Sequence, residues 1–286
     1  MTHFNMAHVL PNDALNLRAY QEVIDTVRWG LEQLGHHTTY SVNSICENAR
    51  NIIFGGHLDP PLVIRSPADS IYYNMEQIRG NPQYDPQDTN IFVRLVSSTL
   101  QIWEYSGANM ETWARLNPAQ PPKLVPIGYA PLLTRIEPAP RQDIDVLIYG
   151  SVGERRLTVF TALSNLVNAG ISTVFACGLF GEARDSLIAR AKIVLNVNYL
   201  TRGRIFEIVR VSYLMANAKA VVADVSPDTY VESDIANGVV LVPLENIAEV
   251  CLRLIANEER RHQLERDGFA CIARRDIRSF LAAALA

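Results

Sequence analysis

Short apolar runs that alternate with segments of helix length are the feature that most restricts how this chain can fold. In the second half the runs are Val146–Tyr149, Ser172–Ala176, Ile193–Val197, Ala220–Ala223 and Val239–Val242. Short, largely apolar runs are typical of strands buried on both faces of a parallel sheet. Segments such as Arg155–Ala169 lie between the runs and predict the crossover helices that parallel strands need. The alternation therefore predicts a doubly wound α/β domain.

The first half repeats this pattern. Its predicted strands are Phe4–Leu10, Thr38–Val42, Asn51–Phe54, Ser70–Met75 and Leu100–Tyr105. A helix is predicted to begin after Asp13, a suitable N-cap residue, and Asn90–Ser98 predicts another helix. A proline-rich segment, 117–143, then interrupts the regular pattern and contains one short predicted strand, Leu124–Ile127.

We therefore predict two doubly wound Rossmann-like domains that face a central cleft. The N-terminal domain is expected over 1–124, a linker over 125–142 and the C-terminal domain over 143–286. In such folds, ligands bind beyond the carboxyl ends of the strands. The cleft is thus the expected place for a site.

Composition narrows the class of protein. The 286 residues suit about two domains. A net charge of −4 provides no excess of Lys and Arg to neutralise phosphates, which argues against a general nucleic-acid binder. The chain contains no apolar run long enough for a membrane span and no signal-peptide pattern at its start. Four widely spaced cysteines without a CxxC pair predict reduced thiols, and we expect a cytoplasmic protein.

The order of several motifs resembles small bacterial glycosyltransferase-like proteins of the two-domain GT-B class. The segments that carry the resemblance are NIIFGGHL, SIYYNMEQI, IWEYSGANM, DVLIYGS, AKIVLN and FEIVRVSYLMANAKAVVAD. The resemblance spans most of the chain and is strongest from Asp145 to Asp224. It implies a GT-B fold, a nucleotide-sugar donor bound by the C-terminal domain and an acceptor bound by the N-terminal domain.

The segment YGSVGERR, residues 149–156, follows a predicted strand and opens a predicted helix. Gly150 and Ser151 lie in the turn, where free amides at a helix N-terminus suit a phosphate. Arg155 and Arg156 are positioned to add charge-assisted hydrogen bonds to a diphosphate. The alternative is a plain tight turn followed by two solvated arginines.

Glu207 and Arg210 lie three residues apart in an otherwise apolar stretch that predicts a buried helix over 205–217. They form either a simple intrahelical ion pair or a ligand-facing pair, since burying such a pair is costly unless every polar group is bonded. In the resembling transferases this helix borders the sugar-nucleotide donor. Many of them carry a second glutamate further along the helix; here that position falls near Tyr213, so no second carboxylate is carried over.

Further candidates stand at other strand ends. Asn198 and Tyr199 follow the strand at 193–197 and are candidates to bond or stack with the nucleotide, or to satisfy loop backbone. In the first half, His57 and Glu76 follow two successive strands. Histidine is suited to accept a proton from an acceptor hydroxyl near neutral pH, so His57 is the leading candidate base, with Glu76 the runner-up.

These observations predict a metal-independent glycosyltransferase that moves a sugar from a nucleoside-diphosphate donor to an acceptor. No metal site and no cofactor are expected, because no Asp/His cluster of ligand spacing stands at a strand end. No nucleic-acid partner is expected. Two alternatives stay open: a sugar-nucleotide epimerase of the same fold, and a non-catalytic module that binds a nucleotide sugar or a partner protein.

Overall fold

A computed structural model gives the structure of the chain and describes residues 1–11, 15–78, 95, 97–167, 170–199 and 205–286. The chain forms two compact units. Unit 1 comprises Met1–Ala130 together with Asp276–Ala286, and unit 2 comprises Pro131–Arg275. Each contains a parallel sheet, which confirms the predicted α/β class. Within the ranges described, no helix is both long enough and apolar enough to cross a bilayer.

Unit 1 is built on a six-stranded parallel sheet in the order β2-β1-β3-β4-β5-β6. The strands are β1 His3–His8, β2 His37–Val42, β3 Arg50–Phe54, β4 Ile71–Asn74, β5 Gln101–Glu104 and β6 Lys123–Leu124. Strands β1 to β5 correspond to predicted strands. The observed β6 is shorter than the strand predicted over 124–127 and begins one residue earlier. The core strands β3 and β4 are buried on both faces, as continuous apolar runs predict.

The helices of unit 1 are α1 Gln21–Gln33, α2 Pro60–Ile64, α3 Gly107–Leu116 and α10 Ile277–Leu285, with 3₁₀ turns at Leu15–Tyr20 and Gly56–Leu58. In α1, Val23, Ile24, Val27 and Leu31 recur at helical spacing and are buried. The predicted cap Asp13 and most of the predicted helix Asn90–Ser98 lie outside the described residues.

The C-terminal helix α10 belongs to unit 1, although the sequence boundary placed it with the second domain. Its contact with α1 depends on Gly30, where a Cβ atom would lie 2.6 Å from Leu281 Cδ1 and 2.9 Å from Ile277 Cγ2. Ile277 also donates its N–H to the carbonyl of Tyr129. Close approach of the two helices therefore attaches residues 276–286 to the first unit.

Unit 2 has a five-stranded parallel sheet in the order β11-β10-β9-β7-β8. Its strands are β7 Ile144–Tyr149, β8 Thr173–Ala176, β9 Ala191–Asn196, β10 Ala220–Asp224 and β11 Val240–Val242. Every residue of β7 and β10 is buried. Each strand matches a predicted apolar run, with ends that differ by one or two residues.

Helices flank this sheet. They are α4 Glu154–Ser164, α5 Gly181–Arg190, α6 Ile208–Ala216, α7 Ser233–Ala236, α8 Ile247–Ala256 and α9 Glu258–Ala273, with 3₁₀ turns at Pro131–Leu133 and Leu244–Asn246.

Helix α6 begins three residues later than the sequence predicts. Ile205 forms an isolated bridge with Tyr230, and Phe206 donates its N–H to the carbonyl of Tyr230. These long-range bonds hold Ile205 and Phe206 outside the helix, and a tight turn in which the Ile208 N–H donates to the carbonyl of Phe206 leads into it. Glu207 is consequently the residue just before the helix, and Arg210 lies in its first turn.

Candidate functional site

The carboxyl edge of the unit 2 sheet holds a group of charged side chains where the strand order reverses. Numbered from its own first strand, the sheet runs 5-4-3-1-2, so the reversal falls between β7 and β9. Doubly wound folds bind their ligands outside this switch point. Gly150 follows β7 here, and Asn196 ends β9.

Gly150 is the point on which two guanidinium groups converge. Its φ of +123° lies in the region that favours glycine. A Cβ atom at this position would lie 2.9 Å from Arg210 Nη2 and 3.1 Å from Arg156 Nη1. Glycine therefore provides both the backbone conformation and the space for the two arginines.

Arg156, in the first turn of α4, is almost fully buried, with 3% of its side chain exposed. Nε donates to the carbonyl of Val197 at 2.8 Å, and Nη1 donates to the carbonyl of Ser151 at 2.9 Å. Nη2 donates to Glu207 Oε1 at 3.0 Å and to Oε2 at 3.2 Å. Burial lowers the pKa of Arg156 and Glu207 opposes this shift; the guanidinium stays charged.

Glu207 joins Arg156 to Arg210. Arg210 Nη1 lies 2.7 Å from Glu207 Oε2 and donates to Asn196 Oδ1 at 3.2 Å. Its guanidinium also lies over the ring of Tyr149, with 5.3 Å from Cζ to the ring centroid. Glu207 and Arg210 thus lie at the start of α6, beside the switch point, and not in the buried middle of a helix.

Asp224, the last residue of β10, accepts hydrogen bonds from two further residues of the site, Arg155 and Asn198. Its side chain is fully buried. Oδ2 accepts a short hydrogen bond from Arg155 Nη2, and Oδ1 accepts from the Asn198 N–H at 2.5 Å. Asn198 Nδ2 donates in turn to the carbonyl of Ile205 at 3.2 Å. Asp224 is not among the residues predicted for the site, although a carboxylate at the end of a buried strand was a usable signal.

We define the arginine cluster as Arg155, Arg156, Arg210, Glu207 and Asp224. Three guanidinium groups against two carboxylates leave one positive charge in excess. The centroid of the half-exposed Tyr199 ring lies 5.7 Å from Arg156 Cζ. The backbone N–H of Tyr199 donates to Glu207 Oε1 at 3.1 Å. The fold therefore brings together all the residues predicted for donor binding, which are Gly150, Ser151, Arg155, Arg156, Asn198, Tyr199, Glu207 and Arg210.

Tyr213 stands near the position where the resembling transferases carry a further glutamate. It is buried, and its hydroxyl donates to Asp185 Oδ2 at 2.7 Å and accepts from Arg135 Nε at 2.9 Å. Its ring lies against the guanidinium of Arg184, 4.5 Å from Cζ. These contacts tie α6 to α5 and to the segment after Pro131–Leu133.

The predicted base candidates both lie at the carboxyl edge of the unit 1 sheet. His57 Nε2 is 3.9 Å from Glu76 Oε1, with 10% and 28% of the two side chains exposed. The hydroxyl of Tyr20 donates a short hydrogen bond to the same Glu76 oxygen. Burial lowers the pKa of His57 and Glu76 opposes this shift. The imidazole is therefore neutral at pH 7 and able to accept a proton.

A fully buried carboxylate, Glu104, organises the loops around Glu76. Its oxygens accept hydrogen bonds from Asn74 Nδ2 and Trp113 Nε1 at 2.7 Å, and from the Ser106 N–H and Asn109 Nδ2 at 2.9 Å. Asn74 and Asn109 each also donate to the carbonyl of Glu76 at 2.9 Å. Burial raises the pKa of Glu104 to about 7, while these four donors pull it down.

Within the residues that the structure describes, no group of three or more His, Cys, Asp or Glu side chains is arranged to hold a metal ion. The arginine cluster has an excess of positive charge and is instead suited to bind an anion.

No protein-family model matches the sequence. Among curated proteins, an uncharacterised protein of Acanthamoeba polyphaga mimivirus is 23% identical over 265 residues, which are 91% of this chain and 89% of that protein.

Solved structures show a clearer likeness. HepE of Anabaena, in complex with UDP and glucose, matches with a TM-score of 0.63 at 12% identity, over 100% of this chain and 99% of that one. Sucrose-phosphate synthase from Thermosynechococcus elongatus matches with a TM-score of 0.59 at 10% identity, over 100% and 97%. A glycosyltransferase from Rickettsia africae matches with a TM-score of 0.58 at 10% identity, over 99% and 98%. The chain therefore has the GT-B fold, which confirms the fold expected from the motifs.

Proposed function

We propose that this protein is a glycosyltransferase that takes its sugar from a nucleoside-diphosphate donor. The observation that carries the proposal is the convergence of Arg156 and Arg210 on Gly150 at the switch point of unit 2. A charged and preorganised pair of guanidinium groups, one buried and one partly exposed, suits a diphosphate, and the GT-B fold supplies the class of reaction.

The arginine cluster has a catalytic part in this proposal. Cleavage of the donor leaves negative charge on the departing nucleoside diphosphate. Fixed guanidinium groups beside that charge stabilise it without reorganising during the reaction. The first turn of α4 adds free backbone N–H groups of the kind that bind phosphate.

The reaction is proposed to be metal-independent, because cationic side chains are available for the role that a divalent ion would otherwise play. Transfer should then survive chelation by EDTA. Complete loss of activity in EDTA, restored by magnesium or manganese, would contradict this part of the proposal.

On the acceptor side we propose His57 as the general base if the reaction inverts configuration. An acceptor hydroxyl is a weak nucleophile and needs a group that takes its proton as the new bond forms. The neutral, mostly buried imidazole of His57 meets that need, and the Glu76 carboxylate 3.9 Å away can stabilise the imidazolium that results. A retaining reaction requires no such base.

UDP and UDP-glucose are the first ligands to test, because HepE has been solved with both. Calorimetry should detect their binding to the wild-type chain. Loss of a charged hydrogen-bond partner costs about 1.5–3 kcal/mol, so Arg210→Ala should weaken binding roughly tenfold or more. Arg190→Ala is the matched control, since it removes an exposed cation of unit 2 that pairs with Asp143.

Unchanged affinity in a folded Arg210→Ala protein would refute the assignment of the donor site. If UDP fails to bind, the same pair of variants should be compared against ADP, GDP and CDP and their sugar conjugates. Failure of every nucleotide to bind would refute the proposed function.

A further inference from the structure

The hydrogen bonds of Glu207 define what its carboxylate is able to do. Oε1 accepts from Arg156 Nη2 at 3.0 Å and from the Tyr199 N–H at 3.1 Å. Oε2 lies 2.7 Å from Arg210 Nη1 and accepts from Arg156 Nη2 at 3.2 Å. Oε1 thus has two N–H donors from the chain itself, and Oε2 has one N–H donor and an ion pair with Arg210.

Two neighbouring polar groups are engaged in the same way. Asp224 is fully buried, and its two oxygens accept from Arg155 and from the N–H of Asn198. The hydroxyl of Tyr213 is bonded to Asp185 and Arg135.

We infer that Glu207 is a positioning residue that aims the guanidinium groups of Arg156 and Arg210, so that the site selects a nucleotide by its diphosphate and not by its ribose hydroxyls. This inference rests on the proposed function, since it concerns the donor site.

Relative bond strengths support this inference. A ribose hydroxyl that binds Glu207 must displace a guanidinium N–H from it. Both hydrogen bonds have an ionised acceptor, but the displaced one also has a cationic donor, so the exchange loses an attraction between opposite charges that a neutral hydroxyl does not restore. Displacement would also leave Arg156, which has 3% of its side chain exposed, without part of its counter-charge. A diphosphate has neither cost, because it is an anion that can meet the partly exposed guanidinium of Arg210, which has 17% of its side chain exposed, while the contacts of Glu207 stay in place.

The test is a comparison of ribonucleotides with deoxyribonucleotides on the full chain. Calorimetry is performed with UDP, ADP, GDP and CDP, with the 2′-deoxy and 3′-deoxy counterpart of each, and with the corresponding monophosphates. For whichever base binds, removal of either hydroxyl should change the dissociation constant by less than about threefold, whereas loss of the β-phosphate should weaken binding by about tenfold or more. A tenfold loss on removing either hydroxyl, or a monophosphate that binds as tightly as the diphosphate, would overturn the inference.

A variant of Glu207 separates positioning from direct contact. All four contacts of the carboxylate come from donors, so Glu207→Gln places an NH₂ group against at least one N–H and misaligns the guanidinium groups. Affinity should fall by the same factor for a ribonucleotide and for its deoxy counterpart. A fall confined to the ribonucleotide would show that Glu207 binds ribose. The control is Asp143→Asn, which removes an exposed carboxylate of the same unit.

These outcomes distinguish the inference from the proposed function. Binding of a nucleoside diphosphate with strong ribose discrimination refutes the inference alone. Failure of every nucleotide to bind the wild-type chain refutes both. If Glu207→Gln does not fold, the comparison of ribose and deoxyribose ligands on the wild-type chain still decides the question.

Discussion

Replacing Gly150 by alanine should damage the donor site more than it damages the fold. At φ +123° an alanine is strained, and strained backbone of this kind costs about 1–3 kcal/mol. The new methyl group would lie 2.9 Å from Arg210 Nη2 and 3.1 Å from Arg156 Nη1. The guanidinium groups must therefore shift by several tenths of an ångström. If one charge-assisted bond to the ligand is lost as a result, nucleotide affinity falls about tenfold to a hundredfold.

Gly178→Ala provides a closely matched control. Gly178 also has a positive φ, +68°, but a Cβ atom there meets nothing within 4 Å. It should lose about 1–2 kcal/mol of stability through strain alone and bind nucleotide normally. Denaturant titration measures the stability of the two variants, and calorimetry with UDP measures the affinity. A folded Gly150→Ala protein with wild-type affinity would refute the assignment of Arg156 and Arg210 to the ligand.

Two further predictions concern unit 1. The raised pKa of Glu104, about 7 against 4.5 in the unfolded chain, means that the folded state binds this proton more tightly. Its contribution to the free energy of unfolding is thus complete below pH 4.5 and is lost as pH rises to about 7, by about 3 kcal/mol in total. Glu104→Gln should flatten that slope in denaturant titrations, and an unchanged slope would contradict the account. Separately, if the reaction inverts configuration, His57→Ala should slow transfer about 10²–10⁴-fold with donor affinity intact. Near-normal transfer would eliminate His57, and Glu76→Gln then tests the runner-up.

The central strands of unit 2 were predictable because they are largely apolar runs, whose burial does not depend on a particular partner. The run Ile193–Val197, for example, corresponds to β9 over Ala191–Asn196. Details set by distant partners were not predictable. The start of α6 depends on bonds from Ile205 and Phe206 to Tyr230, and the docking of α10 depends on the space that Gly30 leaves.

The same distinction applies to the candidate site. The sequence placed Arg155 and Arg156 in one motif as two equivalent diphosphate ligands. In the structure they have different partners: Arg155 pairs with Asp224, 69 residues away, and Arg156 pairs with Glu207, 51 residues away. Local pattern indicates that a cationic pair follows a glycine-containing turn, but it contains no information about which distant carboxylate each cation meets.

Turnover of a nucleotide sugar tests the central claim most directly. The wild-type chain is incubated with the nucleotide sugar that binds best, and release of the nucleoside diphosphate is followed by mass spectrometry, with Arg210→Ala in parallel. Glycosyltransferase activity predicts slow release through hydrolysis by the wild-type chain, and release that is at least about tenfold slower with the variant. Tight binding with no release by the wild-type chain over many hours would contradict the account and identify the protein as a non-catalytic binding module.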